Sequence, residues 1–211
     1  AEVPIQEDAQ VSTYGSMALI TLRSDWTVSG RTFKQGSLLS CKFSDLMASD
    51  LSKAQVLFEP TASRSLESET ATKNYLVLKV LEDLRSTLVT YRFDGDKFVE
   101  HSTGGGIAVG EDVSVQGLNR FSDQDDRVWL WRDGYLRVDA LDIGDASTLD
   151  KTTQVKTKPG FFNSDGLTVD QHFATSKDGT KIPYFVQRRT DMKFDGSTPT
   201  LVDAYGGFEI S

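Results

Sequence analysis

The sequence predicts a mainly β fold, a partial β-propeller of about three blades. Strand-like runs rich in apolar and β-branched residues occupy most of the chain. They fall in pairs that recur at roughly 50 residues, the repeat of a four-stranded propeller blade. Good helix candidates are scarce. A unit of this size cannot bury both faces of its small sheet alone, so blades stack around an axis. On spacing alone, a β-sandwich or an irregular all-β domain stays open.

The first pair is residues 17–23, carrying Met17, Leu19 and Ile20, and residues 36–43, carrying Leu38, Leu39 and Cys41, with a turn at Ser29-Gly30 between them. Residues 45–51 can form one or two helical turns. The second pair is 75–80 and 86–93, where Leu88, Thr90 and Arg92 alternate with Val89, Tyr91 and Phe93. The third is 127–131 and 135–141. Trp129 and Trp131 alternate with Val128 and Leu130, so both faces of that strand are apolar, as in a strand packed between neighbouring blades. Asp178-Gly179 and Asp195-Gly196 are tight-turn dipeptides flanking a strand at 181–187. Residues 200–204 read as the next strand, running into Gly206-Gly207.

Composition narrows the function classes. The chain has 211 residues, enough for one large or two small domains, and its 38% hydrophobic and 26% charged content is that of a soluble protein. A net charge of −8 argues against nucleic acid, whose affinity rests on Lys and Arg at phosphates. No apolar run approaches the ~18 residues of a membrane span. Cys41 is the only cysteine, so no intrachain disulfide forms and a reducing compartment is allowed; a cytoplasmic location is the expectation. Its neighbours Leu38, Leu39 and Phe43 mark it as a buried small hydrophobe. The chain begins at Ala1 without a signal-peptide pattern, and both ends read as cut.

Residues 171–184, from Gln171-His172-Phe173-Ala174 through Asp178-Gly179-Thr180-Lys181 to Pro183-Tyr184, together with Leu201 to Ala204 and Tyr205-Gly206-Gly207-Phe208, resemble the prolyl oligopeptidase family of serine peptidases. Residues 23–33 and 36–39 look like a late propeller blade of bacterial members. Residues 57–60 and 71–76 look like the next, and 160–167 like the crossing out of the propeller. The likeness is weakest from about residue 103 to residue 156. It implies propeller blades over residues 1–160 and the truncated start of an α/β-hydrolase domain over 161–211. It also implies a parent enzyme that hydrolyses short peptides after proline, its propeller restricting access to small substrates. In the family, the tyrosine matching Tyr205 donates its phenolic hydrogen to the oxyanion of the tetrahedral intermediate, and the phenylalanine matching Phe208 lines the proline pocket.

The residues themselves are compatible with those roles. A Tyr before a Gly-Gly corner, at the C-terminal end of a strand, sits where α/β folds place their sites. A phenol aimed at developing negative charge stabilises the transition state more than the ground state. An aromatic face suits a compact apolar ring. Without the resemblance, ordinary packing is the better reading of both residues.

The sequence contains no Gly-x-Ser-x-Gly elbow, and its only histidines, His101 and His172, match no catalytic position of the family. Both read as surface or structural residues, and the chain alone is expected to be inactive. No zinc motif or cofactor signature appears, so neither a metal nor a cofactor is expected. Residues 102–106 lack the Gly-Lys-Ser/Thr of a phosphate loop and read as an inter-blade loop. Asp123, Asp125 and Asp126 lack the Gly and distal Glu of an EF-hand and read as a solvated turn. The expected partners are short peptides, with neither nucleic acid nor membrane. Three blades would leave two open blade faces and an unpaired edge at 201–204, through which copies would self-associate. A non-catalytic propeller-derived binding module is the rival reading.

Overall fold

The structure is a computed structural model that describes residues 2–119 and 124–204. Its first sheet contains β1 (Gln10–Tyr14), β2 (Met17–Thr21), β5 (Leu38–Lys42) and β6 (Gln55–Phe58). Between β2 and β5 lies a small hairpin, β3 (Trp26–Val28) and β4 (Arg31–Phe33). Helix α1 (Phe43–Met47) separates β5 from β6. The second sheet is β7 (Arg64–Ala71), β8 (Tyr75–Glu82), β9 (Arg85–Phe93) and β10 (Phe98–Gly104). The third is β11 (Glu111–Gly117), β12 (Arg127–Gly134), β13 (Ala140–Asp145) and β14 (Thr153–Thr157). A two-stranded hairpin, β15 (Leu167–Thr175) and β16 (Lys181–Arg189), completes the order. Each of the three large sheets is a four-stranded antiparallel meander, so the three expected blades are present.

Stacking follows from alternation along the strands. In β8, Leu76, Leu78 and Val80 point to blade 1, where they join Tyr14, Leu19, Leu38 and Phe58 in one buried cluster. Val77 points the other way and packs with Leu88 against Val113, Val128 and Leu130 of blade 3. The blades are also stitched by polar bonds. The Tyr14 hydroxyl donates to the Lys73 carbonyl at 2.9 Å, and that of Tyr91 donates to the Leu57 carbonyl at 2.7 Å. Thr70 Oγ1 donates to the Val115 carbonyl at 2.8 Å, joining the first strands of blades 2 and 3.

Several expectations are corrected. The strand placed at 135–141 begins at Ala140, because Tyr135 N bonds to the Gly110 carbonyl at 3.0 Å and the chain bends before it pairs. Residues 200–204 form no strand, and Leu201 and Val202 are 93% and 83% exposed, with no ladder partner among the described residues. Ser102 to Gly104 belong to β10 and are not loop. Trp131 is 41% exposed, so only the Val128–Leu130 face of β12 is packed against another blade. The outer face of blade 1 is closed: Ala18, Ile20, Leu39 and Cys41 are covered by the β3–β4 hairpin and α1 through Phe33 and Leu46. Of the two open faces expected, only that of blade 3 remains. No helix among the described residues is long and apolar enough to cross a membrane.

Candidate functional site

The segment approaching the expected site is the β15–β16 hairpin. Its register runs from Leu167↔Arg189 to Thr175↔Lys181 without a bulge. The turn that closes it has Gly179 at φ 90°, and Asp178 accepts hydrogen bonds from Ser176 Oγ and, at 3.0 Å, from Thr180 N. The Ser176 hydroxyl and then the Thr180 amide hold the Asp178 carboxyl down at about 2. Arg188 pairs with Asp170 across the strands at 2.8 Å and lies over the Phe194 ring at 5.4 Å.

Three contacts set this hairpin on blades 2 and 3. Gln171 Nε2 donates to the Asp83 carbonyl in the β8–β9 turn. The rings of Tyr135 and Phe185 meet at 5.6 Å. Gly110, at φ 76°, lets Val169 and Tyr135 come so close that a Cβ there would sit 2.7 Å from Val169 Cγ1 and 2.9 Å from Tyr135 Cδ2. Glycine is needed at that position on both counts.

Beside this contact, between the blade ends and the hairpin, lies a cavity of about 620 Å³. Two of its lining carboxylates hold a buried lysine: the Lys79 side chain is 4% exposed, with Nζ 2.8 Å from Glu67 Oε1 and 2.7 Å from Asp112 Oδ2. Burial works against the Lys79 charge, but Asp112 and Glu67 outweigh it and hold its pKa above the usual lysine value. Burial likewise opposes ionisation of Asp112, and the hydrogen bonds from Lys79 and Ser86 reverse that, leaving its carboxyl below the ordinary range. Asp133 moves the other way: burial, then the nearby charges of Asp112 and Asp139, raise it.

The expected site residues Tyr205 and Phe208 lie outside the described residues, as does Asp123. His101 Nε2 is 3.0 Å from the Ser147 carbonyl and its ring lies 5.1 Å from Tyr75, tying β10 to blade 3. The exposed His172 ring lies 5.6 Å from that of Tyr184 on the hairpin, tilted by 32°. Asp126 accepts from Thr72 Oγ1 at 2.8 Å and from Asn74 N at 2.7 Å, so the aspartate-rich turn clasps blade 3 to blade 2. No group of three or more His, Cys, Asp or Glu side chains suited to a metal occurs among the described residues. The carboxylate-rich cavity was missed in sequence because its members come from separate strands and none forms a motif.

No family model matches the chain. It is similar to the uncharacterized peptidase y4nA of Sinorhizobium fredii, 34% identical over 200 residues that cover 93% of this chain and 27% of that protein. It is also similar to the prolyl endopeptidase of Elizabethkingia miricola, 43% identical over 60 residues, 28% of this chain and 8% of that one. Among solved structures, a post-proline cleaving enzyme from Rickettsia typhi superposes with a TM-score of 0.80 at 23% identity, covering 99% of this chain and 30% of that one. The chain thus spans about a quarter of the length of the first curated relatives it matches, 27% and 26%.

Proposed function

Because this chain belongs to the prolyl oligopeptidase family, we propose that it is the junction between propeller and catalytic domain in a longer serine peptidase. In this reading, residues 1–160 are propeller blades and residues 161–211 open an α/β-hydrolase domain. The whole enzyme hydrolyses short peptides on the carboxyl side of proline, and the blades keep folded proteins out.

The observation that carries the proposal is continuity. Similarity to a peptidase runs through nearly the whole chain, across the three blades and into the hairpin that leads to Tyr205. The three antiparallel meanders supply the stacked wall that a size filter requires. Tyr205 is the oxyanion donor: its phenol O–H stabilises the negative oxygen that forms when the scissile carbonyl is attacked. Phe208 receives the proline ring. The chain has no Gly-x-Ser-x-Gly sequence, so the nucleophile and its base come from the remainder of the enzyme, and this chain alone performs no acyl transfer.

Substitution Tyr205→Phe in the full-length enzyme tests the assignment. It removes one hydroxyl and little volume, and losing one oxyanion donor lowers kcat by roughly 10²–10³ with the fold retained. Wild-type kcat on several proline substrates would remove Tyr205 from the site.

A further inference from the structure

The cavity between the blade ends and the hairpin is lined by two unlike kinds of side chain. Leu81 and Leu84 of the β8–β9 hairpin, with Tyr135 and Phe185, are apolar or aromatic. The others are mostly carboxylates, with Glu67 on β7, Glu111 and Asp112 on β11, Asp133 on β12 and Asp139 in the bend before β13. The neighbouring cations do not balance them. Lys79 serves both Glu67 and Asp112, Arg137 lies 3.5 Å from Glu111, and Lys158 lies 2.6 Å from Asp139. Asp133 is left over: among the described residues its carboxylate accepts no hydrogen bond and joins no ion pair. A cavity lined by apolar side chains and by an exposed carboxylate outside any ion pair complements one side-chain chemistry above others, a long aliphatic stem carrying a terminal positive charge.

We propose that this cavity is a docking subsite for an arginine or lysine side chain of a peptide, its stem along Leu84 and Phe185 and its charge at Asp133. The proposal rests on the peptidase reading for its biological setting, because it gives the substrate class a second determinant, set by the blades, besides the residue at the cleaved bond. The binding itself requires no catalysis and belongs to this chain's own residues. Conditions inside the cavity favour it. Burial, and then the like charges of Asp112 and Asp139, raise the cost of the ionised form of Asp133 by more than Lys79 and Lys158 offset, and an incoming cation relieves that cost. Leu84 holds φ 64°, a conformation that glycine adopts freely and leucine does not, so a Gly replacement there removes one apolar lining side chain without disturbing the turn.

The test measures binding of fluorescein-labelled octapeptides to this chain by anisotropy. One peptide carries arginine, and a second carries citrulline, its neutral isostere, at the same positions. The arginine peptide is expected to bind about tenfold more tightly at low ionic strength, and the preference shrinks as salt is added. Asp133→Asn is expected to weaken the arginine peptide by about three- to fivefold, with a smaller loss for Leu84→Gly. Glu59→Gln, which removes the same charge from the outside of blade 1 where Glu59 pairs with Lys34, is expected to change nothing. Equal binding of the two peptides overturns the proposal. So does an equal loss in Asp133→Asn and Glu59→Gln, which would reduce the effect to the net charge of the chain. If the full-length protein had no peptidase activity, the charge-selective binding would persist; if the subsite is wrong, proline cleavage would remain.

Discussion

Lys79 of blade 2 reaches Asp112 of blade 3 at 2.7 Å, in a position where the lysine side chain is almost wholly removed from water. Removing the carboxylate strands a buried ammonium, whereas removing the lysine leaves two carboxylates, Glu67 and Asp112, whose side chains are 42% and 41% exposed and can be hydrated. Asp112→Asn is therefore expected to destabilise the chain by about 1–3 kcal/mol, at or below the low end for fully buried pairs because Asp112 is partly exposed. Lys79→Met should cost less. The pH dependence has a definite sign. The folded-state pKa of Asp112 is depressed, so its contribution is present above the unfolded value of about 3.9 and is lost as pH falls through the folded value. That of Lys79 is raised, so its contribution is present below the unfolded value of about 10.4 and is lost as pH rises through the folded value. Chemical denaturation at a series of pH values should show a plateau bounded by those limits, flattened in Lys79→Met.

Gly110 couples the blades to the hairpin. An alanine there meets Val169 and Tyr135 at less than contact distance and holds a left-handed backbone that costs about 1–2 kcal/mol for an L-residue. The expected result is local. Hydrogen exchange should quicken in β15 and β16 while the blade amides keep their protection, because the blade cores do not include Gly110. Uniform loss of protection across the blades would contradict this role.

Self-association should proceed through one face. The outer face of blade 1 is sealed by Phe33 and Leu46, whereas blade 3 presents Trp131 and Val155, 41% and 49% exposed. Sedimentation over a concentration series should show association of this chain, and Trp131→Gln should suppress it while leaving the melting temperature nearly unchanged. Association that persists in Trp131→Gln would place the contact elsewhere.

Much of this architecture was legible in the residues. Alternation in 86–93 located β9 because one set, with Val89, faces blade 1 while Leu88 faces blade 3. The turn at Ser29-Gly30 was legible too, since both residues hold positive φ. Its strands were not, being only three residues each. The fourth strands of blades 2 and 3 were silent for another reason. From Val99 to Gly104 on β10, and throughout β14, every residue is exposed, and such strands carry no hydrophobic period. The run from Tyr135 to Leu141 misled because its alternation is that of a strand, whereas Tyr135 is spent on Gly110 and Phe185. The Trp131↔Leu141 and Trp129↔Ile143 pairs fix the true register of β13. At 200–204 the apolar pattern was strand-like, but a strand needs a neighbour to pair with. Nothing in sequence order marked the cavity, whose carboxylates converge only when blades 2 and 3 stack.

The most direct measurement of the central claim is hydrolysis of a chromogenic Gly-Pro anilide by the full-length protein and by this chain in parallel. The account predicts turnover by the full-length protein that is blocked by a serine-reactive phosphonate and falls sharply when alanine replaces the proline, with no turnover by this chain. Full-length protein indifferent to the proline, or phosphonate-sensitive turnover by this chain alone, would contradict it.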